Sequence, residues 1–573
     1  MRRLAFIVLV IFVTGSRVES QTVQSALRTI CNPVNISYRF CTDPPSRREA
    51  ADPTVVWFKD RYFLFASKSG GYWHSTDLTE WIFVETTQLP IEEYAPTVIE
   101  LEGTLFFLAS SNSKSTIYKS TNPLVGEWGV AVESLETPVW DPAFFLDDDN
   151  RLYLYWGCSD RNPIYGVEVD YRKNFSFIGK PKELIFANPG ENGWEVPGDY
   201  NTNVNQNPWI EGAWMNKING KYYLQYASPG TEYKSYNDGV YVANSPLGPF
   251  GLQPNNPFAY KPEGFAAGAG HGSTFTDRHG NLWHMGTITI SQKHVFERRL
   301  AFYPAFIDRN GTLYSTTKFG DYPLVVPDKK VSNFSEIFSG WMLLSYGKQV
   351  EVSSAIDSLP ASNMTDENIR SYWAAKSGCA NEYALLDLGK TCNVYAVQVN
   401  FAEHNASILG RAKNIHHRYI IESSNDKVRW RTLVDKSKNY MDNSHNYIQL
   451  TNATLCRYLR IKNVEVPSGH FAISGFRVFG KGNGAVPAPV KKMVVTRNRI
   501  DRRSVTISWN RSENASGYYV NFGVDGNMYN SYLVYQDTSV IINSLNTSLS
   551  YYFSVEPFNE NGVTVGKDIV YTE

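Results

Sequence analysis

The sequence predicts an all-β protein, a five-bladed β-propeller followed by two β-sandwich domains, and three observations predict it. A short phrase recurs five times between residues 50 and 275, each copy followed by an alternating apolar segment, a polar turn and a second aromatic strand. Aromatic residues make up 14% of the chain, with 14 Trp and 36 Tyr, a content that suits pleated sheets. No amphipathic helical pattern appears between residues 50 and 325. At 573 residues the chain is too long for one ordinary domain.

The N-terminus carries the three parts of a secretory leader over residues 1–20. Arg2 and Arg3 supply charge, Leu4 to Val13 an apolar run, and Val18-Glu19-Ser20 a cleavage site. The run is short for a membrane span and no other membrane-length stretch follows, so the reading is an exported protein, periplasmic or extracellular, with no integral membrane segment. Basic and acidic residues balance at 55 against 56, which removes the electrostatic case for nucleic acid. Six cysteines do not make a disulfide scaffold. Cys31 and Cys41 are close enough to staple a small N-terminal loop, and Cys158 reads as a buried free thiol in a strand.

The propeller is expected over residues 21–340. Its phrases begin at Ala51-Asp52-Pro53, Tyr94-Ala95-Pro96, Trp140-Asp141-Pro142, Ile210-Glu211-Gly212 and Gly270-His271-Gly272, roughly 40 to 70 residues apart. In the first blade the strands read Thr54 to Phe58, Tyr62 to Ser67, Tyr72 to Ser75 and Trp81 to Val84. In the third they read Ala143 to Leu146, Leu152 to Trp156 and Tyr165 to Val169, with Asp147-Asp148-Asp149 as a solvated turn. Asn219-Gly220 and His279-Gly280 are the hairpin turns of the fourth and fifth blades. Long irregular stretches, Phe186 to Trp209 and Leu247 to Gly270, precede the last two phrases and read as functional loops.

After Pro323 the character changes. Residues 345–482 contain Trp373, Leu386-Asp387-Leu388-Gly389, Trp430 and a closing Gly475-Phe476-Arg477-Val478-Phe479-Gly480, and this segment resembles discoidin-type (coagulation factor C-terminal type) domains. His416-His417 within it reads as surface. An Ala-Pro linker leads to residues 487–573, where Val505 to Trp509 and Tyr551-x-Phe553-x-Val555 resemble a fibronectin type III domain, with a tyrosine corner and a buried Trp as its marks.

The chemistry sits in the second residue of each phrase: Asp52, Ala95, Asp141, Glu211, His271. If the phrases surround one axis, three carboxylates and a histidine converge. Glycoside hydrolysis with inversion needs two carboxyl groups about 6.5–9.5 Å apart, and blades facing across an axis supply such a pair.

That order, with Gly268-x-Gly270-His271, looks like glycoside hydrolase family 43 over about residues 45 to 325. The resemblance implies Asp52 as general base, Glu211 as general acid and Asp141 as the residue that tunes the acid and orients substrate. It implies no cofactor for the chemistry. His271 would belong to a central site that in some members holds one structural calcium through water. Arg299, or its neighbour Arg298, would fix a sugar hydroxyl, and Trp73, Tyr94, Trp140 and Trp209 are candidate stacking surfaces. The implied activity is a secreted, monomeric, inverting exo-glycosidase releasing terminal α-L-arabinofuranose from plant polysaccharide side chains such as arabinogalactan. Exo-β-1,3-galactosidase, β-xylosidase and β-D-galactofuranosidase are the enzymatic alternatives. A lectin-like propeller is the non-enzymatic one.

Overall fold

The computed structural model describes residues 27–90 and 93–573; the expected leader over residues 1–20 lies outside them. Five antiparallel blades follow one another along the chain, four of them four-stranded and the fourth five-stranded because Ala259–Tyr260 also pairs with Asn237–Ala243. Their innermost strands are Thr54–Phe58, Thr97–Leu101, Ala143–Leu146, Glu211–Ile218 and Ala267–Thr276, which touch in ring order. Each blade is a meander whose alternating residues fill the space between neighbouring sheets. Phe63, Phe65, Leu105, Phe107 and Trp128, for example, pack the first blade onto the second.

The N-terminal segment closes the ring. Thr29–Ile30 pairs with Leu324–Val325, and Asn32 donates from Nδ2 to the carbonyls of Phe302 (2.7 Å) and Gly320 (2.8 Å). This segment holds Cys31 and Cys41 apart, which corrects the expected staple. Both are buried free thiols, Cys31 donating to the Asp321 carbonyl and Cys41 to Glu49.

Residues 342–481 form one eight-stranded sheet system around a core that includes Trp373, Leu386, Tyr419 and Phe476. The final unit is a sandwich of a three-stranded and a five-stranded sheet. The Tyr551 hydroxyl accepts from Asn546 N at 3.0 Å, and Trp509 is buried against Tyr518. Both C-terminal units pack back on the propeller. Trp194 donates to Asn546 Oδ1 (2.9 Å), and Tyr529 stacks on Tyr314 with ring centroids 3.7 Å apart.

Two further readings are corrected here. Asp147 is buried, accepting from Lys217 and Tyr222 of the next blade; only Asp148 and Asp149 face solvent. His416 and His417 are buried, His417 lying parallel to Phe401 at 3.8 Å, and burial pushes its imidazole down to about 3. Among the described residues no helix is long and apolar enough to cross a membrane.

Candidate active site

Every blade opens with the same defect. Ser67 N bonds Ala51 O while Thr54 pairs with Phe65, so two residues on the inner strand face one on its partner. The pattern repeats between Tyr94 and Thr97, Trp140 and Ala143, Glu211 and Trp214, and Gly270 and Ser273. The first extra residue of each bulge has a left-handed φ: Asp52 at 53°, Ala95 at 50°, Asp141 at 51°, Gly212 at 59° and His271 at 43°. Four of the five are not glycine, and such strain, on the order of 1–3 kcal/mol each, collects at functional sites.

The bulges correct the register of the fourth phrase. The residue equivalent to Asp52, Asp141 and His271 is Gly212, and Glu211 stands one place earlier, level with Tyr94 and Trp140. Those earlier residues line the pocket wall. Glu211 therefore reaches the site from the wall.

A bulge frees a backbone N–H that a buried site must satisfy. Thr287 Oγ1 accepts from Asp52 N (2.9 Å), Ser67 Oγ from Ala95 N (2.7 Å), Ser110 Oγ from Asp141 N (2.9 Å) and Asp238 Oδ1 from His271 N (2.8 Å). In each case the acceptor belongs to the preceding blade. The same hydroxyls then fix the carboxylates: Ser67 donates to Asp52 Oδ2 (2.6 Å) and Ser110 to Asp141 Oδ1 (3.1 Å).

The pocket has a volume of about 200 Å³ and brings together Asp52, Asp141, Glu211, His271, Tyr94 and Trp140. Arg298 Nη1 lies 3.1 Å from Asp52 Oδ1, and its Nη2 lies 2.7 Å from Glu49 Oε1. His271 Nδ1 is 3.3 Å from Asp52 Oδ1 and 3.7 Å from Asp141 Oδ2. Ligand atoms of Asp141, Cys158 and Glu211 all lie within 4.8 Å of one another. Glu211 accepts from Tyr236 Oη (2.5 Å) and from Cys158 Sγ (3.3 Å).

Burial pushes Asp141 up to about 7; His271 pulls against the rise, while the charges of Glu211 and Asp52 add to it. Burial works to lower His271, and the carboxylates of Asp52, Asp141, Glu211 and Asp238 outweigh it, so the imidazole is raised. Asp238, beneath the ring, is pushed up to about 7, chiefly by burial.

Three expected residues are elsewhere. Trp73 is fully buried, donating to Ser37 Oγ beneath the N-terminal segment, and presents no face to a ligand. Arg299 points away from the pocket to His445 (Nε to Nε2, 2.9 Å), because successive side chains on a strand face opposite ways. Trp209 is exposed but is not among the lining residues. In place of these the pocket uses Arg298, Cys158, Thr231 and Phe296. Arg298 was legible as the alternative to Arg299; Cys158, expected as a buried thiol in a strand, lies just past the strand Leu152–Trp156 and is partly open to the pocket, while Thr231 and Phe296 carry no sequence signal.

The protein donors by themselves do not build a calcium cage, so an ion at His271 would have to be held through water. Calcium takes six to eight oxygens, whereas His271 offers nitrogen and already faces Asp52 and Asp141. The Asp141, Cys158 and Glu211 group contains a thiol.

The family model described as "Glycosyl hydrolases family 43" matches residues 41–312, and that described as "F5/8 type C domain" matches residues 349–475. The chain is 24% identical over 266 residues to "Beta-D-galactofuranosidase xynD" of Aspergillus niger, covering 39% of this chain and 70% of that protein. It is 30% identical over 139 residues to "Xylosidase/arabinosidase 43A" of Humicola insolens, covering 19% of this chain and 40% of that one. Among solved structures, one titled "Glycoside hydrolase" aligns at TM-score 0.45 and 18% identity, over 78% of this chain and all of that one.

Proposed function

From the pocket of residues 41–312, a family 43 glycosyl hydrolase domain followed by an F5/8 type C domain, we propose an exported, inverting exo-glycosidase that releases terminal α-L-arabinofuranose from plant polysaccharide side chains such as arabinogalactan. The observation that carries the reading is that Asp52 and Glu211 line one small pocket while His271 and Asp141 stand between them. The carboxyl oxygens of Asp52 accept from Arg298 and Ser67, and the group suits the base that takes a proton from water. Asp141 binds a proton readily, and Glu211 is within 4.8 Å of it and half-exposed to the pocket. Glu211, open to the pocket beside it, suits the acid that protonates the leaving oxygen. Inversion requires that such a pair of base and acid stand about 6.5–9.5 Å apart, with room for a water between.

A volume of about 200 Å³ is below the about 300–1,000 Å³ of drug-sized pockets and suits one terminal sugar. Trp140 and Tyr94 line the pocket.

A second reading, β-D-galactofuranoside hydrolysis, is favoured by the similarity to the Aspergillus niger protein of that name. Galactofuranose shares the ring stereochemistry of α-L-arabinofuranose and adds one hydroxymethyl unit to the exocyclic arm. Release of nitrophenol from α-L-arabinofuranoside, β-D-galactofuranoside, β-D-xyloside and β-D-galactoside separates the readings. Proton NMR of the first-formed sugar tests inversion: a product of retained configuration sinks the mechanism. Binding without turnover on every glycoside favours a lectin.

A further inference from the structure

We propose that the F5/8 type C domain is a positioning element of the catalytic pocket, holding the loop that carries Phe296 and the Glu49–Arg298–Asp52 chain from behind. This rests on the reading of Asp52 as the base.

The loop of residues 290–297 supplies Phe296 to the pocket and leads into Arg298. Internally it is closed by Ile290 N to Glu297 O (2.9 Å) and Lys293 N to Glu297 Oε2 (2.8 Å). Its outer side is tied to the F5/8 type C domain. Lys293 Nζ donates to the carbonyls of Ala402 (3.0 Å) and Glu403 (3.1 Å), and Gln292 donates to the carbonyl of Arg370. Arg370 reaches back into the propeller, to Asp199 Oδ2 (3.1 Å) and the Glu232 carbonyl (3.3 Å), one residue from the pocket's Thr231.

A second tie runs behind the base. Asp52 is held by Arg298, and Arg298 by Glu49. Their strand neighbours Arg299 and Arg48 point the other way, as alternation requires. Arg48 bonds Glu403 (Nε, 2.7 Å) and Asp442 (Nη1, 2.8 Å), while Arg299 bonds His445 and the carbonyl of Arg48. Arg48, Arg299, Glu403 and His445 are all at most 4% exposed. Arg298, which touches the base, and Glu49, which holds Arg298, thus alternate with Arg299 and Arg48, which touch the second domain. A glycan-binding appendage joined only by a linker would not need these contacts.

The buried arginines are poor probes because their removal threatens folding. Lys293 and Arg370 are half-buried and usable. For Lys293→Ala and Arg370→Ala, kcat on an aryl α-L-arabinofuranoside falls about 10- to 100-fold, with KM little changed and melting close to wild type. Lys293→Arg, which reaches both carbonyls, restores kcat. Lys318→Ala, at the contact of the propeller with Glu556 of the last unit, leaves kcat unchanged. Wild-type kcat in both alanine variants overturns the inference, as does a loss that only tracks melting temperature. If wild-type protein hydrolyses no glycoside, the functional reading fails and positioning is read by hydrogen–deuterium exchange of residues 291–297. Faster exchange in both alanine variants supports it, and wild-type exchange overturns it.

Discussion

A Cβ on Gly212 would lie 2.5 Å from both Cγ and Cδ2 of His271, so the missing side chain of one residue is the space filled by the ring of the other. This contact explains why the fourth blade departs from the rest. The other bulges carry a side chain toward the axis, and there is no room for a fifth beside His271. The carboxylate of that blade is moved to the preceding position, Glu211, on the pocket wall.

Gly212→Ala therefore combines an overlap with a φ of 59° that alanine tolerates poorly. The ring must move away from Asp52 and Asp141. The expected result is a lower melting temperature and at least about 100-fold lower kcat, since small misplacements at a reacting centre cost that much. The double variant Gly212→Ala/His271→Ala regains melting temperature, because the overlap is gone. Wild-type turnover in Gly212→Ala would falsify the packing argument.

Glu211 and Asp52 should separate by leaving group. A general acid matters most when the departing alcohol is a poor leaving group, so Glu211→Gln loses about 10²–10⁴-fold on an alkyl or oligosaccharide arabinofuranoside. It loses much less on a dinitrophenyl one. Asp52→Asn loses similar amounts on both, because water must be activated either way. The check is kcat/KM across three or more aglycones. Equal sensitivity of the two variants would exchange or remove the assigned roles.

Asp141 carries a pH signature. Its folded-state pKa, about 7, lies above the unfolded value of about 3.9, so the folded chain binds this proton more tightly. The associated stability is fully present below about pH 4 and is lost as pH rises through about 7. His271 is also raised, partly by Asp141, and its contribution is likewise lost as pH rises through its folded pKa. Asp141→Asn removes the first term and reduces the second. Its melting temperature relative to wild type should climb between pH 5 and 8. A flat difference over that range contradicts the shift.

The sequence carried the blades because each begins with the same structural need. A left-handed residue followed by Pro or a small residue recurs at Asp52-Pro53, Ala95-Pro96, Asp141-Pro142 and His271-Gly272. The fourth phrase slipped by one, since Glu211-Gly212-Ala213 offers a polar residue and a glycine in either frame. Only the pairing of Glu211 with Ala227 decides it. Arg298 and Arg299 were indistinguishable for another reason: adjacent strand residues face opposite sides, and composition does not say which side is the pocket. Trp73 became core because the N-terminal segment covers it, a contact invisible to local pattern. The ties through Lys293, Arg370 and Glu403 join residues more than 100 positions apart.

Cys158 supplies the last prediction. Its Sγ lies 3.3 Å from Glu211 Oε2 inside the pocket. Burial and the charges of Asp141 and Glu211 drive its thiol far above the usual range, so the reactive thiolate is scarce at pH 8. Cys379, by contrast, is exposed. Iodoacetamide at pH 8 should modify Cys379 first, with activity intact, and leave Cys158 unmodified by peptide mass spectrometry. Cys158→Ser keeps a donor to Glu211 and should stay within about tenfold of wild-type kcat. Cys158→Val places a methyl against the carboxylate and loses more, because an acceptor left without its donor costs about 1–3 kcal/mol. Rapid alkylation of Cys158 with parallel loss of activity would show instead that the thiol is ionised beside Glu211, which two neighbouring carboxylates should prevent.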